Sequence, residues 1–167
     1  KHDENYMPAS IKRQIKASDH WQKDYSLRNL SYEKIPQFST NNLIDNNLIL
    51  TNNDIKDKIT LINFFASWCL PCKTEHPLLM DLKNNFPELT ILGIDHKDTK
   101  EDAVKFISDY GNPYSFIGID SDGRIGLEFG VFGLPETFLT NDQGIIIYKH
   151  TGPLTNKVIQ KEILPNL

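Results

Sequence analysis

Cys69 and Cys72 are the only cysteines of the chain, and two residues lie between them in Trp68-Cys69-Leu70-Pro71-Cys72. The turn falls where a strongly apolar run, Ile59 to Ala66, meets a helix-like pattern. Two thiols so placed can close a small ring and open it again, which is redox chemistry. With Cys69 at a helix N-terminus, free backbone N–H groups and the positive end of the helix dipole favour its thiolate. Cys69 then attacks and Cys72 resolves. A zinc site would need four ligands, and His76, His96 and His150 are scattered, reading as surface or hairpin residues. A purely structural disulfide would close too short a loop to remove much chain entropy.

The flanking elements must hold that turn. Ile59 to Ala66 reads as a central strand covered on both faces. After Cys69 the spacing of Leu78, Leu79, Leu82 and Phe86 predicts a helix, stopped by Pro87 and kinked at Pro77. Leu89 to Asp95 is the next buried strand. Thr99 with Asp102 resembles a capping box, opening a helix with an apolar face of Ala103, Val104, Phe106 and Ile107 and closed by Gly111. Tyr114 to Ile119 reads as a third strand, Asp120 to Gly123 as a turn, and Ile125 to Phe129 as one helical turn. Thr137–Thr140 and Ile145–His150 form a hairpin. A last helix runs from its cap Thr155 through Val158, Ile159 and Ile163 to Pro165. Ahead of all this, residues 39–58 read as short strands in a hairpin around Leu43-Ile44 and Leu48-Ile49-Leu50, and Ser10–Ser18 as a short amphipathic helix. Alternating strands and helices make an α/β protein with a mixed sheet flanked by helices.

Composition narrows the function. The 167 residues, 39% hydrophobic, suffice for one domain (35–167) behind an N-terminal extension or linker (1–34). Net charge is −4 and uneven: residues 1–34 hold 7 Lys/Arg against 5 Asp/Glu, the remainder 11 against 17. An acidic body argues against nucleic acid as a partner. No run approaches the ~18 apolar residues of a membrane span. Because the chain begins with Lys, a targeting or anchoring segment is expected to precede it.

The order strand, WCxxC, helix, strand, then a proline before the final hairpin resembles a thioredoxin fold. The segment Gly130-Val131-Phe132-Gly133-Leu134-Pro135-Glu136-Thr137-Phe138 narrows this to a resemblance to the CcmG/DsbE family, the membrane-tethered periplasmic thioredoxins of cytochrome c maturation. Glu75-His76-Pro77, Gly111-Asn112-Pro113-Tyr114 and Gly144 to His150 match as well, over roughly residues 35–167. The resemblance implies a protein-disulfide oxidoreductase working as a reductant on apocytochrome c or a haem-ligation partner. Its electrons would come from a membrane donor of the DsbD or CcdA type. Carried over by residue, Cys69 is the exposed nucleophile, Cys72 the buried resolving thiol, Pro135 a cis-proline across from the disulfide, and Glu75 and Glu136 the acidic active-site residues. Trp68, Leu70, Pro71, Phe132, Leu134 and Thr137 would contact substrate. Phe132 departs from the tyrosine often found there.

Chemically, Cys72 needs a proton acceptor, and either Glu75, three residues on, or Glu136, after Pro135, is expected to serve. Negative charge there would also raise the thiol pKa values, making a better reductant and a slower attacker. The expectations are a monomer, no cofactor beyond the dithiol, no metal, and a periplasmic location with an inner-membrane tether. Two alternatives stay open: a general reductase of the TlpA or ResA type, and a thioredoxin-like copper binder, for which Met7 and Met80 lie outside the active turn.

Overall fold

The computed structural model describes residues 33–167. The helix expected over Ser10–Ser18 lies outside them. Ile59 to Ala66 forms β3, Thr60–Phe65, with all six residues buried. It is central because it is apolar on both faces and so needs cover on both. Parallel to it runs β4 (Thr90–His96), then β5 (Phe116–Asp120); on its other side lies β6 (Glu136–Thr140), antiparallel to β3, and then β7 (Ile146–Thr151), antiparallel to β6. The sheet order is β5-β4-β3-β6-β7.

Helix α1 (Leu70–Asn85) and helix α2 (Lys100–Tyr110) cover one face, where Leu61 and Phe65 meet Leu79, Leu82 and Phe106. On the other face Phe64 and Phe138 pack against Phe129 of α3 (Arg124–Phe129), ring centroids 5.2–5.9 Å apart. Fully burying each such side chain contributes roughly 1.5–3 kcal/mol. Proline is harmless at Pro71, the second residue of α1, where no intrahelical N–H bond is due. The helix also continues through Pro77 to Asn85.

Several boundaries depart from expectation. The N-terminal hairpin pairs β1 (Ser39–Asn41) with β2 (Ile49–Thr51), so Leu43-Ile44 follows the first strand instead of forming it. Leu43 is buried, its N–H given to Ile117 O at 2.8 Å. At the other side, Ile146 N–H reaches Glu33 O at 2.9 Å and Ile35 N–H reaches Gly144 O at 3.0 Å. Thr99 caps α2 by accepting from Asp102 N–H, but its own N–H goes to Asp98 Oδ1, so the box is half formed. Val104, expected on the apolar face, is 40% exposed. The final helix is not one α-helix: after the Thr155 cap, α4 (Asn156–Val158) widens into a π-turn at Ile159–Ile163 and tightens to 3₁₀ at Leu164–Asn166.

Gly93 is required by packing. A Cβ there would meet the Tyr114 ring at 2.8–2.9 Å. That ring stacks on Phe65 at 4.8 Å and its hydroxyl donates to Asn63 Oδ1 at 2.8 Å. Gly93→Ala is therefore expected to push the ring aside and cost about 1–3 kcal/mol, read as a lower denaturation midpoint at unchanged m-value.

Candidate active site

Cys69 is the N-cap of α1, and its Sγ accepts the Cys72 N–H at 3.2 Å. The two cysteines are joined as a disulfide, with Cα atoms 5.3 Å apart. Contrary to the expected contrast of exposed and buried thiols, they are 4% and 2% exposed. Position, not exposure, separates them: Cys69 sits at the positive helix end, Cys72 inside the first turn. Around them the surface is apolar and open, with Trp68 60%, Leu70 73% and Phe132 91% exposed. Trp68 does not pack into the core; its indole N–H donates to Lys97 O at 2.9 Å. A groove of about 670 Å³ runs beside it, lined by Lys97, Arg124, Leu127 and Leu134 among others.

The Leu134–Pro135 bond is cis. Pro135 is buried and gives its C=O to Gly152 N–H at 2.9 Å. Leu134 is half-buried, and neither of its backbone polar groups makes a hydrogen bond among the described residues.

Beneath the disulfide lies a polar chain inside the core. Glu75, 1% exposed, accepts from Asn63 Nδ2 at Oε2 (2.8 Å) and from Leu154 N–H at Oε1 (2.9 Å). Asn63 Nδ2 also donates to Thr137 Oγ1 at 3.1 Å, and its Oδ1 accepts from Tyr114. Burial pushes Glu75 up to about 7, although both hydrogen bonds favour its charge. Thr137, expected to face a substrate, is 1% exposed and turned into this network.

Glu136 does not share the site with Glu75. Its register partner is Phe64, whereas Thr137 pairs with Asn63, so the two carboxylates point to opposite faces of the sheet. Cys72 packs on the Glu75 side. Glu136 instead lies near Lys149 Nζ at 4.0 Å and accepts from the Thr151 hydroxyl at 3.4 Å, while its Oε2 has no hydrogen-bond partner among the described residues. Burial raises its pKa, opposed by the Lys149 ammonium. The expectation that either acid could serve Cys72 is thus narrowed to Glu75.

His76 is not a surface residue, whereas His96 is partly buried at the edge of the groove. His76 is 2% exposed, its Nε2 2.7 Å from Gly111 O and its ring against Phe106. Burial lowers its pKa, so the neutral ring donates to that carbonyl. His96 Nδ1 lies 2.9 Å from Asp120 Oδ2. Among the described residues, no group of three or more His, Cys, Asp or Glu is gathered to hold a metal.

Asn63, Tyr114 and Leu154 were not singled out for the site by sequence reasoning. The one local hint was a lone amide inside the apolar run, which must find partners when buried.

The family model described as AhpC/TSA matches residues 32–149. The thiol:disulfide interchange protein DsbE of Allochromatium vinosum is 37% identical over 130 residues, 78% of this chain and 71% of that protein. The chain belongs to the AhpC/TSA family, in its DsbE group. CycY of Rhizobium leguminosarum bv. viciae, another thiol:disulfide interchange protein, is 45% identical over 116 residues, and HelX of Rhodobacter capsulatus 46% over 118. The matches span 70% of this chain in both cases, but 62% of CycY and 66% of HelX. A putative DsbE from Chlorobium tepidum superposes with a TM-score of 0.71 at 21% identity, covering 81% of this chain and 96% of that one, which establishes the shared thioredoxin-like fold. In this DsbE-group chain, the WCxxC turn and the cis-proline loop both fall within the matched region.

Proposed function

We propose that the chain is a protein-disulfide reductase of cytochrome c maturation, acting on disulfides of apocytochrome c or of a haem-ligation partner. The observation that supports it most is the cysteine pair at a helix N-terminus with a buried carboxyl of near-neutral pKa one turn beyond Cys72. In the reduced chain the Cys69 thiolate attacks one sulfur of the target disulfide and expels the other as thiolate. Cys72 then gives its proton to Glu75 and attacks Cys69 Sγ, releasing the second target sulfur. Two electrons pass to the target, leaving the Cys69–Cys72 disulfide of this structure. Trp68, Leu70, Pro71 and Phe132 offer apolar contact, and the unpaired Leu134 backbone groups offer hydrogen bonds to an extended substrate segment. The dithiol is the only redox group required.

A membrane donor of the DsbD or CcdA type would return the chain to its reduced form. The setting is the periplasm, with a tether to the inner membrane ahead of this sequence. Among the described residues no helix is long and apolar enough to cross a membrane.

The test pairs a potential with a substrate. Equilibrating the cysteine pair against dithiothreitol is expected to give a value well below the ~−120 mV of a strong oxidant. The reduced chain should also reduce an oxidised Cys-x-x-Cys-His peptide, the haem-attachment motif, faster than unrelated protein disulfides. A potential near that of the oxidant would reverse the direction, and equal rates on all disulfides would make it a general reductase.

A further inference from the structure

Asp95 is a buried ionisable group that this reaction does not use. It closes the buried run of β4 beside Phe65, on the face shared by Asn63 and Tyr114. It is 1% exposed, and neither carboxylate oxygen receives a hydrogen bond among the described residues. A buried carboxylate without donors is costly, whereas the neutral acid has a proton to give and needs an acceptor. The carboxyl of Asp98 faces it. Asp98 in turn holds the active turn: Oδ2 accepts Ser67 N–H at 2.8 Å, and Oδ1 accepts the Ser67 hydroxyl at 2.8 Å. Ser67 stands two residues before Cys69.

We infer that one proton held between Asp95 and Asp98 locks the Ser67–Cys69 turn, making Asp95 a positioning residue for the nucleophilic thiol. Protonated Asp95 donates to Asp98, which goes on accepting both Ser67 bonds. The titratable groups acting on the pair are Asp120, from β5 and on the opposite sheet face, and the Tyr114 phenol ahead of β5. Asp120 is itself held by His96 and by the N–H groups of Ile125 and Gly126. From β3 the neighbour is the apolar Phe65. Burial first, then Asp98, raise Asp95 to about 9. The proton therefore stays through neutral pH and leaves as pH rises through that value, when two adjacent carboxylates repel and the turn loosens.

The experiment uses the oxidised chain, in which no cysteine titrates, with Trp21→Phe so that Trp68 alone reports. Its fluorescence is expected to show a step centred near pH 9. Asp95→Asn, whose amide donates to Asp98 at every pH, should abolish the step while keeping the neutral-pH spectrum. Infrared spectroscopy of the unmutated chain should show a protonated carboxyl band that outlasts the Glu75 transition near 7 and vanishes near 9. A silent Trp68, a step that survives in Asp95→Asn, or the absence of that band would each overturn the inference; the band alone decides if the variant does not fold. The positioning role rests on the reductase reading, but the readouts do not involve turnover, so the two can fail separately.

Discussion

Cys72→Ser is expected to stall the chain as a covalent adduct with its disulfide target, and Cys69→Ser to lower turnover by ~10⁴-fold or more, as loss of an enzymatic nucleophile does. The order follows from position. Cys69 caps α1, where its thiolate gains from the helix dipole and from the Cys72 N–H already directed at its sulfur. Cys72, one turn in, attacks the Cys69 sulfur of the mixed disulfide and expels the target thiolate. Without it the mixed disulfide has no intramolecular exit. Non-reducing electrophoresis and mass spectrometry after mixing reduced chain with oxidised Cys-x-x-Cys-His peptide will count the adduct. Accumulation in Cys69→Ser instead of Cys72→Ser would reverse the two roles.

The second large effect is expected from Glu75→Gln. Removing the acceptor should slow resolution of the mixed disulfide by roughly 10²-fold or more and erase the inflection near pH 7 from that step. The variant also has a stability signature. Glu75 titrates higher in the folded chain than the ordinary 4.5, so its contribution is fully present below pH 4.5 and lost as pH rises through about 7. That loss amounts to about 3 kcal/mol. Denaturant unfolding should show the native chain weakening between about pH 4.5 and 7 and Glu75→Gln weakening less by about that amount. Glutamine keeps one acceptor oxygen, enough for Leu154 N–H or for Asn63 but not both, so some stability is lost at low pH as well.

The parts of the site visible in sequence were those with local signatures. Cysteine spacing after an apolar run placed the disulfide at the start of a helix, and Pro135 before a hairpin marked the loop that carries the cis bond. What escaped was built from distant residues. Asn63 meets Tyr114 51 positions away and Thr137 74 away, and Glu75 meets Leu154 79 away. Nothing in the apolar run Ile59–Ala66 distinguishes a structural amide from a strand interruption. Asp95 was placed only as the last residue of a buried strand, because local pattern does not report what a carboxyl there would meet. The faces of Glu75 and Glu136 depend on strand register, which pairs Glu136 with Phe64 and is set by the whole sheet. The terminal helix failed for a related reason: the spacing of Val158, Ile159 and Ile163 suits α and π turns alike.

The stretch ahead of the sheet touches both of its flanks, with Glu33 and Ile35 bonded to β7's approach and Asn42 and Leu43 bonded to β5. Outer strands with vacant N–H and C=O groups invite other chains to add on, which leads to aggregation. Here a single segment of some ten residues occupies part of each outer strand, so the molecule carries its own guard against self-association.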